Sequence, residues 1–562
     1  MTLLLFFFSA LFGILATRLF LLQIVGHRAY AAMAARQHRV RTEIAPERGA
    51  IYVRDKTGAR IPIATVRTFT NIAVSPREVA EPEAVVSVLI EALGVDAASL
   101  AAVLSKHDDP YEIIARKVNA ATANRIALRN LKGVHLEEEV RRWYPYDSLA
   151  AHVIGFTGVE YGKEEGRYGI ERYYEHELTG NIGFLEGLRD ATGFLLGLGR
   201  RIVRPPKDGH DLVLTIDLHI QEQAEGVLQR VAEKWGAESG SLLVVDPKSG
   251  KVLALAAIPT FNPNDFSSVG DIGIFLNPVA QTTFEPGSVL KPITMAGALD
   301  RGLVNPMTTY TDSGSVRIGA YTIKNFDGNA YGVQTMTQVL EKSLNTGMVH
   351  VARILGQEGQ HSYFERFGFG EHTGIDLPGE VPGNISNMST GREIDLATVS
   401  FGQGVAVSPL QVAMAIAAIG NDGVLMRPYV VEEIIDDSGN VVMIAPERVR
   451  QAVSPETAET LTKMLVAAVR GGFENRAGVK GYFVAGKTGT AQIPRKDRRG
   501  YLDDRFIHTF VGYAPAFDPK FLVYLQLNEP KGNRFAANTL TPAFHDLAEF
   551  ILNYYGVPPD EQ

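Results

Sequence analysis

The chain has 562 residues, 45% of them hydrophobic and 21% charged, enough for two or three domains and at least one large core. That balance excludes wholesale disorder, and a net charge of −8 argues against a nucleic-acid binder, which would present a basic face. With no cysteine, disulfides, thiol chemistry and cysteine-ligated metal or iron–sulfur sites are excluded. The absence names no compartment, but it suits an exported protein that folds without oxidation.

The first element is the run TLLLFFFSALFGILATRLFLLQIV, Thr2–Val25, long enough as a helix at about 1.5 Å per residue to cross a hydrocarbon core. Its one charge, Arg18, sits near enough to the end to snorkel, or to meet a partner inside the membrane. A cleaved signal peptide is the alternative; the length of the run and the lack of a charged leader or cleavage site stand against it. Arg28, Arg36, Arg39 and Arg41 all follow the span, and under the positive-inside rule they would keep the rest in the cytoplasm. Long domains, however, translocate largely regardless of such charges.

Residues 26–44 are polar and helix-permitting, a stalk. Residues 48–64 alternate around Lys56-Thr57-Gly58 and predict a hairpin. Helices are expected at 82–104 and 120–131, followed by a glycine- and charge-rich region through Arg204. This stretch lacks one dense apolar pattern and reads as a mixed α/β pedestal. A strand at 211–216 leads into a helix at 217–235. Two apolar runs around Lys248-Ser249-Gly250 then predict a second hairpin. Helices follow at 290–303, 335–355, 396–419 and 455–469, then strands at 509–514 and 521–527 and a helix at 542–555. Strands at both ends of a helix-rich middle predict one sheet built from distant segments, with helices packed on it, an α/β (α+β) fold. No internal repeat or low-complexity tract is present.

Three short constellations carry chemistry. In Phe284-Glu285-Pro286-Gly287-Ser288-Val289-Leu290-Lys291 the turn residues place Ser288 at a helix start, and Lys291, three residues on, shares its face. A lysine whose pKa is lowered by burial can take the proton of a serine hydroxyl, and the helix start favours developing negative charge. The bland reading is a capping serine beside an exposed lysine. Ser343-Leu344-Asn345 lies in an expected helix with the apolar row Met336, Leu340, Leu344, Met348. Serine and asparagine are poor helix formers there, so either surface polarity or a proton relay and an amide-holding group explains them. Lys487-Thr488-Gly489-Thr490 follows an expected strand at 482–485; Gly489 would admit a substrate backbone, and the lysine and hydroxyls suit a carboxylate. Ser438-Gly439-Asn440 and Lys56-Thr57-Gly58 are turn decoys that show how weak each pattern is by itself. Their order, Ser-x-x-Lys, Ser-x-Asn, Lys-Thr-Gly, each in a fitting context, makes one strong signal, a motif set that resembles that of penicillin-binding proteins and class A β-lactamases.

On these motifs the chain resembles a class B penicillin-binding protein over nearly its whole length. The likeness includes Phe401-Gly402-Gln403-Gly404, Ser408-Pro409-Leu410-Gln411, Gly368-x-Gly370 and the stretch from Thr373-Gly374 to Gly379-Glu380. In the pedestal it rests on Arg48-Gly49-Ala50-Ile51 with Arg54-Asp55, Arg142-Trp143-Tyr144-Pro145, His152-Val153-Ile154-Gly155 and Gly169-Ile170-Glu171. The family's usual Asp-Arg reads Val53-Arg54 here. The resemblance implies a transmembrane anchor at 1–25, a dimerisation-type pedestal at 26–215 and a transpeptidase domain at 216–562.

It also implies a peptidoglycan D,D-transpeptidase that covalently binds β-lactams. Ser288 would attack between the two terminal D-alanines of a stem peptide, and Lys291 would accept its proton. Ser343 would pass a proton to the leaving D-alanine, and Asn345 would hold the substrate amide. Lys487 would supply positive field, with Gly489 beside the substrate and Thr488 and Thr490 on its carboxylate. The oxyanion would lie between the N–H groups of Ser288 and Thr490. No metal or organic cofactor is implied. The expected setting is the bacterial cytoplasmic membrane, with the catalytic domain outside and a polytopic glycan polymerase and other division or elongation proteins as partners. Alternatives are a D,D-carboxypeptidase or β-lactamase, an elongation-type rather than septal transpeptidase, and a β-lactam sensor or non-catalytic scaffold. A built-in glycan polymerase is not expected, since about 190 residues separate span from catalytic region and match a pedestal.

Overall fold

The computed structural model describes residues 1–28, 30, 39–160, 163–188, 202–472, 475–495 and 500–561, which form two compact units. One comprises 1–49 with 176–210, the other 50–175 with 211–562.

In the first unit Thr2–Phe20 is α-helical and Leu21–Val25 continues it as a π turn, with no buried residue in either. This 24-residue stretch turns no face to a protein core and is long and apolar enough to cross a membrane. Arg18 falls in the last turn of the α-helix, where a cation complements the dipole. Arg39–Ile44, expected in the helix-permitting stalk, is a strand instead; residues 31–38 of that stalk lie outside the described residues. The strand pairs antiparallel with Gly183–Leu188, which pairs with Ile202–Arg204. Val40, Thr42 and Ile44 are β-branched at alternate positions, a pattern that fits a pleated strand better than a helix. Gly49 is needed where it stands: a Cβ would lie 1.9 Å from the His210 carbonyl oxygen.

The second unit contains two large sheets. The first runs Val441–Met443, Val431–Ile435, Asp211–Asp217, Ile51–Arg54, Arg60–Val74, Glu112–Val118, with Val134–Trp143 also paired to Arg60–Val74. The hairpin expected at 48–64 forms here, its second strand running on to Val74. Asp376 stitches this sheet, its carboxylate accepting from the backbone N–H groups of Val430 and Val431 and from the Tyr174 hydroxyl. Arg142 donates at 2.6 Å to Glu171, both side chains almost fully buried, and the Tyr144 hydroxyl joins them. A buried pair of this kind rewards geometry more than it adds stability, since desolvation offsets most of the attraction.

The second sheet is the one foreseen from distant segments. Its antiparallel order is Val252–Ile258, Ser239–Val245, Phe521–Asn528, Tyr501–Ala514, Ala485–Pro494. Ser239 pairs with Asn528 and Val245 with Leu522, so the sheet centre joins the start and end of this half. Leu242, Val244, Val523 and Leu525 pack with Leu228, Phe544, Leu547 and Ile551 from the helices Leu218–Trp235 and Thr541–Tyr555. Asp217 starts the first of these helices, capping the N–H groups of His219 and Ile220.

Helix Pro409–Gly420 packs against this sheet and is buried on all sides from Pro409 to Ile419. The expected helix at 396–419 is two helices, Glu393–Val399 and Pro409–Gly420, because Gly402, Gly404 and Pro409 interrupt it. Ser408 accepts from Gln411 N at 3.1 Å while the Gln411 side chain accepts from Ser408 N at 3.0 Å, a reciprocal cap with proline at the first turn. Ser408→Ala is expected to lower stability by about 1 kcal/mol, seen as a lower melting temperature with unchanged far-UV circular dichroism. An unchanged melting temperature would contradict that role for the hydroxyl.

Candidate functional site

The serine turn is built by glycines. Gly287 has φ +63° and its N–H donates to the Gly402 carbonyl at 3.0 Å. Gly402, φ +80°, passes so close that a Cβ would sit 2.1 Å from Gly287 O. Ser288 therefore emerges half-buried in a 3₁₀ turn, Gly287–Leu290, that feeds helix Lys291–Asp300. Lys291, at the helix start, is fully buried.

Ser343 does not lie in a continuous helix. Met336–Glu341 ends, Ser343 takes a left-handed φ of +56°, and a new helix begins at Asn345. The apolar row Met336, Leu340, Leu344, Met348 is buried as expected, on both sides of this break. The break turns Ser343 toward the two lysines. Lys291 Nζ donates to the Ser343 carbonyl and, at 3.1 Å, to its Oγ. Lys487 Nζ donates to the same Oγ at 3.1 Å and to Thr488 O at 3.2 Å. Each nitrogen is 3.1 Å from one oxygen, so the two are no more than 6.2 Å apart. Ser288 Oγ lines the same cleft, with no hydrogen bond among the described residues. Both lysines meet at Ser343, beside the cleft that Ser288 lines.

Electrostatics follow from this packing. Burial, with the charge of Lys487 second, holds Lys291 well below the usual ammonium range. Burial brings Lys487 down to about 7. Two ammonium groups this close and this dry disfavour double protonation.

Lys487-Thr488-Gly489-Thr490 lies within the edge strand Ala485–Pro494, not after a strand at 482–485. Lys487 pairs with Val511 and Thr490 with His508. At Gly489 a Cβ would come within 2.9 Å of Pro286 O and 3.0 Å of Val289 Cγ1. The serine turn is one chain that approaches this glycine closely. Thr488 and Thr490 both line the cleft, and Thr490 Oγ1 accepts from Ala536 N at 3.1 Å. Asn345 lines it too, with Nδ2 donating to Lys324 O at 2.9 Å, which orients its amide.

Two residues whose function sequence reasoning missed clamp the serine turn. Glu285, noted only as part of the motif, accepts from Gly404 N at 3.1 Å and from the Tyr501 hydroxyl at 2.9 Å. Burial raises both of their pKa values, so the tyrosine stays protonated and donates. Nothing in local sequence pairs residues so distant in the chain.

The two decoys are turns. Asp55 accepts from the N–H groups of Thr57 and Ala59, and Asp436 from those of Ser438 and Asn440. Among the described residues no three His, Asp or Glu side chains are grouped to hold a metal ion.

Residues 240–549 match the penicillin binding protein transpeptidase domain and 43–214 the penicillin-binding protein dimerisation domain. The chain is similar to stage V sporulation protein D of Bacillus subtilis, 32% identical over 98% of this chain and 86% of that one. It is equally similar, at 32% over 80% of this chain and 73% of the other, to peptidoglycan D,D-transpeptidase FtsI of Escherichia coli K12. Among solved structures, penicillin binding protein 3 of Mycobacterium tuberculosis complexed with aztreonam superposes with a TM-score of 0.71 at 26% identity, covering 92% of this chain and 98% of that chain.

The buried lysine gives a prediction with a definite sign. Lys487, at about 7 in the folded chain, lies below the ordinary lysine value of 10.5, so between these the unfolded chain binds more protons and stability rises with pH. Raising the pH from about 6 to about 9 should therefore stabilise the wild type more than Lys487→Met, by a few degrees in melting temperature. Parallel pH profiles for the two proteins would contradict a depressed Lys487.

Proposed function

The chain belongs to the class B penicillin-binding proteins, and on that premise we propose that its cleft works as a peptidoglycan D,D-transpeptidase site with Ser288 as nucleophile. The observation that carries the assignment of roles is the convergence of two buried lysines on the Ser343 hydroxyl, in the cleft that Ser288 lines.

Ser288 Oγ attacks the carbonyl carbon between the two terminal D-alanines of a stem peptide. Its proton passes to Lys291, which burial keeps neutral enough to accept one. The tetrahedral oxyanion is received by the N–H groups of Ser288 and Thr490. Collapse breaks the peptide C–N bond, and Ser343, fed by the lysines, delivers a proton to the departing D-alanine amine. The amine of a neighbouring stem then attacks the Ser288 ester, forming the cross-link and returning the proton to Ser288. Asn345 holds the stem amide, Lys487 supplies the local positive field, and Thr488 and Thr490 bind the terminal carboxylate beside Gly489. A β-lactam takes the place of the donor stem and remains as the acyl group.

This reading gives the chain an anchor at 1–25, a pedestal at 26–215 and a transpeptidase domain at 216–562; the matched segments 43–214 and 240–549 fall inside the last two. The anchor crosses the bacterial cytoplasmic membrane once and places the catalytic part outside. Arg18 supports a contact there with a polytopic glycan polymerase. The setting is the division septum, as for the division-type members that the Phe401-Gly402-Gln403-Gly404 segment resembles.

Membranes carrying the wild type, treated with a fluorescent penicillin, should show one covalent band that Ser288→Ala abolishes. A band that persists in the mutant would move the nucleophile elsewhere. A fluorescent fusion should gather at mid-cell in dividing cells, and an even distribution along the side wall would overturn the septal assignment.

A further inference from the structure

Beside Asn345 lies a buried polar cluster outside the mechanism above. Asp312, 2% exposed, ends strand Thr309–Asp312, which pairs with Gly332–Thr335. Between these strands is a hairpin, Ser315–Ile318 with Tyr321–Lys324, whose second strand lines the cleft. The Asp312 carboxylate gathers donors from both flanks of this hairpin and from the helix Asn345–Arg366. Thr346 Oγ1 donates at 2.6 Å, Asn325 Nδ2 at 2.9 Å, Tyr331 N at 2.9 Å and Gly314 N at 3.1 Å. Burial alone would raise its pKa, but these hydrogen bonds outweigh that and keep it ionised.

Proton directions follow from the inventory. A threonine hydroxyl has one hydrogen, and its short bond to a carboxylate that can only accept fixes where that hydrogen points. Tyr310 must then donate to Thr346 Oγ1, at 3.1 Å, and burial, with the Asp312 charge behind it, pushes the phenol up to about 12. Asn325 Oδ1 accepts from Thr346 N at 3.3 Å. Thr346 adjoins Asn345, and Asn325 adjoins Lys324, whose carbonyl holds the Asn345 amide at 2.9 Å. The two residues flanking the Asn345–Lys324 bond are thus both tied to one carboxylate.

We propose that Asp312, through Thr346 and Asn325, is a positioning residue that fixes the Asn345 amide and the cleft wall Tyr321–Lys324 relative to the nucleophile. It does not touch substrate; it sets where the substrate's amide is held. Sequence spacing gives no sign of this, since Asp312 sits in an unremarkable Asp-Ser-Gly turn.

The inference rests on Ser288 acylation with Asn345 holding the acyl donor, and a double-mutant cycle on the membrane-bound full chain tests it. Thr346→Val keeps shape but removes the hydroxyl, and Thr346→Ser restores it. The second-order rate constant for labelling by a fluorescent penicillin should fall about tenfold in Thr346→Val, chiefly in the acylation step, and return in Thr346→Ser. In an Asn345→Ala background the same Thr346→Val change should cost less than about twofold. A merely structural loss would lower labelling by the same factor in both backgrounds, and that result, or a Thr346→Val rate equal to wild type, overturns the proposal. Should Thr346→Val not fold, Tyr310→Phe removes only the donor to Thr346. It should cost about threefold in the wild type and nothing measurable in Asn345→Ala, equal losses again overturning it. Wild type that is not labelled at Ser288 defeats the reading beneath; wild type labelled with an additive cycle defeats only this one.

Discussion

The site depends on two lysine nitrogens held out of water on one serine oxygen. Ammonium groups are costly to bury, and placing a second beside the first costs more. The fold tolerates Lys291 and Lys487 there because each reaches Ser343 and a carbonyl, and because the cost falls once a proton is shed. What burial takes from the charged state it returns as a larger share of free amine at neutral pH, able to accept a proton. The arrangement needs Ser343 to face both lysines, which a regular helix would not allow. Its left-handed backbone is therefore part of the chemistry rather than an irregularity.

Around that centre, position is fixed by contacts that leave no room for a side chain. Gly287 against Gly402 and Gly489 against Pro286 bring three chain segments within touching distance. Glu285 then joins the serine turn to Gly404 and Tyr501. Each contact alone is modest, but together they set Ser288 relative to the strand that carries Lys487. A displacement of about 1 Å in such a site can change a rate a hundredfold, so close backbone packing and catalysis are linked here.

Much of this was legible from residue order. The Lys248-Ser249-Gly250 hairpin, the closing strands and the capped helices carry strong local signals, and the structure has them where periodicity places them. Ser288, Lys291, Ser343, Asn345, Lys487, Thr488 and Thr490 gather around one cleft as the motif order suggested. The failures share a cause. Met336, Leu340, Leu344 and Met348 keep helical spacing across a break that Lys342-Ser343 marks with neither glycine nor proline, so the pattern reads straight through it. The approach of the serine turn to Gly489 is invisible in sequence, which cannot say which neighbour comes close. Asp312 and Glu285 were silent because their partners are distant in sequence, and a buried carboxylate looks like any surface one until its donors are placed.

The pairing of Ser239–Val245 with Phe521–Asn528 carries a temporal consequence. A ribosome delivers Ser288 long before the strand that completes the sheet and before Lys487 itself. Until then Lys291 has no dry enclosure, so it stays an ordinary protonated amine, and the hydroxyl three residues earlier is no more reactive than any alcohol. Contacts this far apart in the chain also form late. A nascent or C-terminally shortened polypeptide thus lacks the strand and the second lysine that enclose Lys291 and Ser343.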